Sequence, residues 1–270
     1  MEATLIVHAD DLGYSRAVNR AILRAHRCGV LNSCSFLVAA PAADHAATMV
    51  QSCRSLGVGV HLSLTTALVL GRDAVPRLTA AFPALLDVVQ AWRSGTADHA
   101  ILVPELERLE RAVPGEEVER EFEAQVARFS TLVGRRPTHL DTHQHVHVRP
   151  LIRDALVRVA QRHALPVRQM NPALQHDLRH EGIPTTDVFV EAPTDGQHLG
   201  LRLTEFVETV SQHAHGVTEV LFHPGFRGRH ANDAFDQVRP LHLRALLGGA
   251  AARWRHTGRI ADYGAVSPYR

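Results

Sequence analysis

Residues 4–29 read TLIVHADDLGYSRAVNRAILRAHRCG, and this stretch indicates the fold. Its first five residues, TLIVH, form a short apolar run rich in β-branched side chains, which is typical of a fully buried strand. A helical segment follows, in which Val18, Ile22 and Ala25 recur at helical spacing until Gly29 ends it. A strand, a polar loop and a helix, in this order, make the unit from which parallel α/β proteins are built.

The same alternation continues along the chain. Further strands are predicted at residues 33–39, 57–62, 138–142, 165–169, 187–190, 218–222 and 259–262, and helices at 15–27, 44–53, 116–133, 151–163, 204–213 and 239–253. Seven or so βα units predict one domain, residues 1–270, with a parallel sheet flanked by helices. We therefore expect an α/β, (β/α)-barrel-like fold, either complete or incomplete and distorted. An open doubly wound sheet is disfavoured because no G-x-G-x-x-G motif follows the first strand.

One stretch interrupts this alternation. Residues 64–104 are too long for a simple connection between a strand and a helix. We interpret them as a partly helical inserted segment that covers the functional end of the barrel. No motif constrains this insertion, so we expect substrate specificity to lie in it.

The composition is that of a soluble globular protein, with 45% hydrophobic and 21% charged residues. The formal net charge is +1, so no global field would attract nucleic acid or an anionic membrane. All 29 basic residues are arginines. The absence of lysine from the sequence excludes Schiff-base chemistry, phosphate loops of the NTPase type and metal pairs bridged by a carbamylated lysine.

Nothing in the sequence indicates export or membrane insertion. The amino terminus does not have the pattern of a signal peptide, and no apolar run approaches the ~20 residues that a membrane span requires. The three cysteines, Cys28, Cys34 and Cys53, share no C-x-x-C spacing and do not suggest a disulfide framework. We therefore expect a protein of the reducing cytoplasm.

Polar side chains gather where four predicted strands end, which is the functional end of a parallel barrel. One strand end carries His8, Asp10 and Asp11, another carries His61, a third begins the segment HLDTHQHVH, and a late one carries His223. Each has a plain structural explanation when taken singly. Adjacent aspartates often cap a helix, a lone histidine is usually a core residue, and His-Pro-Gly can be a turn. Together on one rim, they indicate a functional site.

The segment HLDTHQHVH carries the strongest signal. In an extended chain every second side chain lies on the same face, so one face is expected to carry His139, Asp141, His143, His145 and His147. Two or three imidazoles with a carboxylate oxygen suit Zn²⁺ or another first-row divalent ion. A solvated, histidine-rich loop is the alternative. Most other histidines of the chain, His242 among them, lie on predicted helices or loops and are interpreted as surface residues.

These segments together resemble the YdjC-like carbohydrate deacetylases, a family that includes the chitooligosaccharide deacetylases. VHADDLGYS is similar to the family's N-A-D-D-F-G-x-S opening, GVHLSLT to G-x-H-x-x-L-T, PTHLDTHQHVHVRP to P-T-H-x-D-S-H-x-H-V-H, and FHPGF to H-P-G/A. Their order and approximate spacing agree from residue 4 to about 226. Three positions depart from the pattern: His8 replaces Asn, Leu12 replaces Phe and Thr142 replaces Ser. None of these changes removes an ionisable group that is expected to act.

The resemblance implies a (β/α)-barrel-like fold, one divalent metal ion and hydrolysis of the N-acetyl group of an amino sugar. It also suggests a homodimer. Position by position, it implies Asp11, His61 and His143 as metal ligands, Asp10 as the catalytic base and His223 as the general acid. The metal is either Mg²⁺ or Zn²⁺, and two histidine ligands favour Zn²⁺. Chitooligosaccharides and N-acetylglucosaminyl conjugates both fit as substrates.

The chemistry of amide hydrolysis is consistent with these roles. A metal with three protein ligands activates water and stabilises the oxyanion, while a carboxylate beside the metal serves as base. Adjacent residues of a regular strand point to opposite faces, so Asp10 and Asp11 must lie where the strand gives way to a loop. Gly13 fits such a bend. Arg168 is expected to orient a carboxylate, to bind the substrate by contacting the sugar, or to form a surface salt bridge.

Two other functions stay open. A metal-dependent phosphoesterase or amidohydrolase uses a similar barrel, although such enzymes usually carry H-x-H on the first strand, where this chain has HADD. A non-enzymatic, histidine-rich metal-binding protein would instead show several weak metal sites rather than a single tight one. Within the deacetylase interpretation, His145 or His147 is the next candidate ligand if His143 does not bind the metal.

Overall fold

The computed structural model describes residues 3–64, 78, 80, 102–195, 197–227, 235–257 and 259–266. The predicted insertion at residues 64–104 lies almost entirely outside these ranges, so its interpretation stays a prediction. Within the described ranges, no helix combines the length and the apolar character needed to cross a bilayer.

In the part of the chain that the structure describes, seven parallel strands form one sheet. They are β1 (Thr4–Leu12), β2 (Ser33–Phe36), β3 (Gly57–Leu62), β4 (Leu140–Thr142), β5 (Val188–Glu191), β6 (Val217–Phe222) and β7 (Arg259–Ile260). Their order is β4-β3-β2-β1-β6-β5, and β7 pairs with the start of β1. A single bridge between Leu140 and Val167 extends the sheet past β4.

The sheet curls into a half barrel. Arg168 lies beyond the β4 edge, yet its Nε donates a hydrogen bond of 2.9 Å to Glu219 on β6. Only a strongly curved sheet brings these distant positions together. The inside of the curl is polar at β1, where His8 and Asp10 contact side chains from other strands, whereas Val7 joins the apolar core. The predicted (β/α)-barrel-like fold is confirmed, and of the two forms left open the structure shows the incomplete one.

Helices cover the outside of the sheet. They are α1 (Arg16–Cys28), α2 (Ala43–Gln51), α3 (Leu102–Ala112), α4 (Gly115–Val133), α5 (Pro150–His163), α6 (Pro172–His180), α7 (Leu199–His213), α8 (Arg239–Leu247), α9 (Gly249–Ala252) and α10 (Trp254–Thr257). Six of them pack in the row α5-α4-α2-α1-α8-α7, which follows the order of the strands. The apolar core lies between this row and the sheet.

Local sequence signals explain where the helices begin and end. Ser15 caps α1 by accepting a hydrogen bond from the Val18 amide at 3.2 Å. Helix α4 ends at Gly134, whose φ of 72° lies in the left-handed region that favours glycine. Asn171 caps α6 in the same way as Ser15 caps α1, and Pro172 begins that helix.

Several predicted elements differ from the structure. Residues 165–169, predicted as a strand, contribute only the bridge at Val167. Helix α6 was not predicted, because the cap residue Asn171 and Pro172 begin a helix of only nine residues. The last predicted helix, residues 239–253, is divided into α8 and α9 at Gly248, which has extended backbone angles. The second strand ends at Phe36 rather than at residue 39.

Candidate active site

The end of β1 contains a backbone irregularity that buries two adjacent carboxylates. The pairing of β1 with β2 shifts register between Ala9 and Leu12, and Asp11 has a left-handed φ of 72°. Gly13 follows with a φ of 96°, and a Cβ there would lie 2.7 Å from the Leu37 carbonyl oxygen. Both carboxylates of the predicted pair are therefore buried despite being adjacent in the chain.

Asp11, His61 and His143 converge on one point. Asp11 Oδ1 lies 3.3 Å from His143 Nδ1 and 3.7 Å from His61 Nε2, and the two ring nitrogens are 3.3 Å apart. Ligands about 2.1 Å from a tetrahedral ion are roughly 3.4 Å from one another, so this spacing suits a cation. Among the described residues, Asp11 Oδ1 has no hydrogen-bond partner. These three residues, predicted as ligands, thus form a group that could hold a metal ion.

The charge of the cluster also favours a cation. Around the Asp11–His61–His143 group, the buried acidic and basic side chains form a cluster of four carboxylates and two guanidinium groups: Asp10, Asp11, Asp141, Glu219, Arg168 and Arg239. When His61 and His143 are neutral, as imidazoles that bind a metal must be, these groups leave two negative charges among the described residues. A divalent ion would offset that charge.

Arg168 is fully buried and joins three carboxylates. Its Nη1 and Nη2 donate to Asp10 Oδ2 and Oδ1 at 3.0 and 2.9 Å, which is a two-point contact. Its Nη1 also lies 2.9 Å from Asp141 Oδ2, and its Nε donates to Glu219. The expected surface salt bridge at Arg168 is wrong, because the exposed fraction of this residue is 0%. Its expected contact with the substrate stays a prediction. Of the three expected roles, the structure shows the orientation of a carboxylate.

Asp10 is held in its ionised form. Burial would raise the pKa of Asp10, but the Arg168 charge and then the His61 charge hold it well below its usual value. Ser35 donates a hydrogen bond to Asp10 Oδ1 at 3.1 Å, and His8 Nε2 lies 3.2 Å from the same oxygen. Oδ2 instead faces the Asp11–His61–His143 group, 3.7 Å from His61 Nε2.

Asp141 orients one of the predicted ligands. Its Oδ1 lies 2.8 Å from His61 Nδ1, so His61 presents Nε2 to Asp11 and His143. A carboxylate behind a histidine ligand is a common support in metal sites. Burial would lower the pKa of His61, but the carboxylates of Asp10 and Asp141 raise it to about 9.

The expected common face of HLDTHQHVH is wrong beyond Thr142. Strand β4 ends there, and a 3₁₀ turn, His143–Val148, follows. Gln144 and His145 adopt left-handed φ angles of 58° and 53°, so the two-residue alternation of side chains ends. His143 turns toward the ligand group, whereas His145 is partly exposed and lies 3.7 Å from Glu191.

His139 and His147 are structural residues rather than ligands of this group. His147 Nδ1 contacts Thr142 Oγ1 at 2.6 Å, and its Nε2 donates to the Arg168 carbonyl at 3.1 Å. Both of its nitrogens are engaged, so His147 is not an alternative to His143. His139 stacks on Tyr263 with ring centroids 3.9 Å apart, on the inner side of the sheet.

His223 faces the group from the opposite side of the half barrel. Its Nε2 lies 3.9 Å from Asp10 Oδ2, and its Nδ1 lies 3.9 Å from Glu191 Oε1. The ring stacks on Phe235 at 4.7 Å, and the backbone amide donates to His242 Nδ1 at 2.9 Å. The ring is therefore held between two carboxylates, near Asp10 as the sequence predicts.

Sequence reasoning missed several residues of the site. His242 is fully buried, so its interpretation as a surface residue is wrong; its Nε2 donates to the Pro193 carbonyl at 3.0 Å. Glu191 directly follows a predicted strand, so the rule that reactive groups gather at strand ends could have identified it. Arg239, whose Nη2 donates to Asp11 Oδ2 at 2.8 Å, lies on a helix and carries no motif.

The fold and the site together define a class: a parallel α/β half barrel with a buried Asp-His-His group that could hold a metal ion. The YdjC-like protein family model matches residues 4–257, and this chain belongs to that family. A carbohydrate deacetylase of Brevibacillus brevis is 32% identical over 263 residues, covering 95% of this chain and 96% of the relative. A chitooligosaccharide deacetylase of Serratia marcescens is 34% identical over 229 residues, covering 84% of this chain and 83% of the relative.

Solved structures share the architecture. A protein of Enterococcus faecalis V583, provisionally named a cellobiose-phosphate cleavage protein, has a TM-score of 0.78 at 25% identity and covers 99% of this chain and 100% of its own. The Xyl-CE4 domain of a multidomain xylanase from the hindgut metagenome of Trinervitermes trinervoides has a TM-score of 0.54 at 8% identity, over 98% of this chain and 90% of its own. The second likeness concerns the fold alone.

Proposed function

We propose that this protein is a metal-dependent N-deacetylase that hydrolyses the N-acetyl group of an amino sugar and releases acetate. Its family and relatives place it among the carbohydrate deacetylases, which are hydrolases. The observation that carries the finer proposal is that Asp11 Oδ1, which has no hydrogen-bond partner among the described residues, faces His61 Nε2 and His143 Nδ1 with the ionised Asp10 beside it.

Asp11, His61 and His143 would hold the cation. Two nitrogen donors and one oxygen favour Zn²⁺ or another first-row ion over Mg²⁺, which prefers oxygen ligands. A bound divalent ion supplies Lewis acidity, which polarises the acetyl carbonyl and makes the attacking water more acidic. Asp141 fixes the orientation of the His61 ring for this role.

Asp10 acts as the general base through Oδ2. Oδ1 accepts hydrogen bonds from Ser35 and from Arg168 Nη2, whereas Oδ2 accepts one from Arg168 Nη1 and faces the ligand group and His223. The two-point contact with Arg168 prevents the carboxylate from rotating to bind the cation itself. Because its pKa is low, Asp10 is ionised at neutral pH and ready to accept the proton of the attacking water.

His223 acts as the general acid. Its Nε2 lies 3.9 Å from Asp10 Oδ2. The amide nitrogen of the substrate would be placed beside this Nε2. Glu191 faces Nδ1 at 3.9 Å and stabilises the protonated imidazole. The backbone amide of His223 donates a hydrogen bond to His242, which fixes the loop that carries the His223 ring. Donation from Nε2 converts the departing nitrogen into an amine.

An acetate-release screen tests this function. Metal-free protein is supplied with one equivalent of Zn²⁺, Co²⁺ or Mg²⁺ and assayed on N-acetylated mono-, di- and oligosaccharides and on a panel of phosphoesters. Acetate release that requires the metal supports the proposal. Turnover of phosphoesters alone would favour the phosphoesterase alternative, and several weak metal sites without turnover would favour metal buffering.

Chitooligosaccharides come first in the screen because relatives 32% and 34% identical are named for them. N-acetylglucosaminyl conjugates come second. A homodimer and a cytoplasmic location are further parts of the proposal. Light scattering after size-exclusion chromatography tests the first, and cell fractionation tests the second.

A further inference from the structure

Arg239 is placed to control how Asp11 binds a cation. It is the first residue of α8, its exposed fraction is 2%, and its Nη2 donates to Asp11 Oδ2 at 2.8 Å. The other carboxylate oxygen, Oδ1, is the one that faces His61 and His143. The two oxygens of Asp11 therefore have different surroundings.

The Arg239 side chain is held by its neighbours. Its guanidinium carbon lies 5.1 Å from the centre of the Tyr14 ring and 5.6 Å from that of Phe235. The Arg239 carbonyl accepts a hydrogen bond from the Gly225 amide at 3.1 Å. A Cβ at Gly225 would lie 2.6 Å from Arg239 Cδ, so the glycine of the His-Pro-Gly segment leaves room for this side chain. The guanidinium is thus positioned by packing on several sides.

We propose that Arg239 is a positioning residue that makes Asp11 a one-oxygen ligand and thereby favours small transition-metal ions over Ca²⁺. While Arg239 occupies Oδ2, only Oδ1 is available to a cation. Zn²⁺ and Co²⁺ accept four or five ligands, whereas Ca²⁺ takes six to eight oxygens and often binds both oxygens of one carboxylate. The inference rests on the proposed metal site but not on the deacetylase activity.

The ratio of two affinities isolates this effect. Removing the Arg239 charge strengthens the binding of every divalent ion by electrostatic attraction to Asp11, so a single affinity would mix charge with orientation. Co²⁺ and Ca²⁺ carry the same charge, and that contribution largely cancels in the ratio of their dissociation constants. The visible spectrum of bound Co²⁺ reports the number of ligands independently.

The experiment uses the full chain freed of metal and compares wild type with Arg239→Met. Competition titrations give the preference for Co²⁺ over Ca²⁺, and the visible spectrum is recorded with one equivalent of Co²⁺. We expect the preference to fall at least tenfold in Arg239→Met and the Co²⁺ bands to weaken severalfold. Arg153→Met, which removes a 2.9 Å ion pair with Asp177 on the outer helices, is the matched control and should change neither.

Gly225→Ala is the second variant because it displaces Arg239 without removing its charge. It should also lower the preference for Co²⁺ over Ca²⁺. If circular dichroism shows that Arg239→Met is unfolded, Gly225→Ala alone provides the test. An unchanged preference and spectrum in a folded Arg239→Met or Gly225→Ala would overturn the inference. If the preference shifts while no sugar releases acetate, the proposed function fails and the role of Arg239 stands.

Discussion

Two adjacent aspartates have different partners at the residue scale. Asp10 receives two hydrogen bonds from Arg168, one on each oxygen, while Asp11 receives one from Arg239 on Oδ2. Asp11 Oδ1 is therefore left facing His61 and His143, where the proposed cation would bind, and Asp10 is held beside it. This difference gives a physical reason for the division into ligand and base that the sequence only implied through a resemblance.

The first prediction separates the two aspartates. Asp10→Asn should retain one equivalent of metal but lose roughly 10²–10⁴-fold in kcat, because an amide cannot accept the proton of water. Asp11→Asn should lose metal affinity, since a neutral oxygen replaces a charged ligand. Metal content by mass spectrometry and acetate release are measured on both variants. Loss of metal from Asp10→Asn with retention in Asp11→Asn would reverse the two roles.

The second prediction concerns the ligand group as a whole. Asp11→Ala, His61→Ala and His143→Ala should each abolish tight Zn²⁺ binding, because each removes one of three converging donor atoms. His145→Ala is the matched control, since His145 lies nearby but contacts Glu191 instead. Equilibrium dialysis measures binding. Any of the three variants that keeps tight, stoichiometric Zn²⁺ removes that residue from the ligand set.

At the scale of elements, the sequence predicted the strands and helices that carry their own periodic signal. Helix α4 was predicted from one apolar stripe, and β3 and β6 from short apolar runs. The turn after β4 could not be predicted, since the alternating HLDTHQHVH gives no sign that Gln144 and His145 adopt left-handed angles. Consequently Asp11, His61 and His143 were placed together through motifs, while the separate positions of His145 and His147 required the structure.

The third prediction concerns the ends of β5 and β6, where Glu191 is the last residue of β5 and His223 follows β6. Burial lowers the pKa of His223 below its usual value, and the carboxylates of Asp10, Asp11 and Glu191 offset this effect only in part. Glu191→Gln removes a negative charge, so the pKa of His223 should fall and its protonated form should be lost at lower pH. The alkaline limb of the kcat profile should therefore move to lower pH, with Zn²⁺ content unchanged. The charged and titratable groups facing His223 are Asp10, Asp11, Glu191, Arg239 and His242.

An alkaline limb at the same pH in Glu191→Gln would contradict the support of His223 by Glu191. Glu208→Gln provides the matched control. The Glu208 carboxylate lies on the outer helix α7 and pairs with the Arg253 guanidinium, 3.6 Å away. Its profile should equal that of the wild type. A shift in both variants would indicate a general charge effect rather than a local one.

At the scale of the whole molecule, curvature of the sheet assembles the polar interior. Arg168 follows the bridge at the β4 edge, Glu219 lies on β6, and Tyr263 comes from the carboxyl-terminal segment. Tyr263 donates its hydroxyl to Glu219, which in turn accepts from Arg168. The sequence could not place these residues together, because their contacts depend on closure across the half barrel rather than on local pattern.

The final prediction tests this interior through Arg168→Met in metal-free protein. Removing the guanidinium leaves Asp10, Asp141 and Glu219 without their shared partner, and breaking a buried ion network costs roughly 3–5 kcal/mol. In the wild type, Arg168 opposes the effect of burial and lowers the pKa values of Asp10 and Asp141. That stabilisation is complete above the ordinary pKa of these groups and is lost as the pH falls through their lowered values.

In Arg168→Met the same carboxylates should have raised pKa values, so acidification protonates them and relieves the unpaired charge. The stability difference from wild type should therefore be largest near pH 7 and smaller near pH 4.5. Urea unfolding at both pH values measures it, with Arg158→Met, at an exposed ion pair with Glu119, as the control. A difference that is equal or larger at the lower pH would show that Arg168 stabilises the half barrel by packing rather than by its charge.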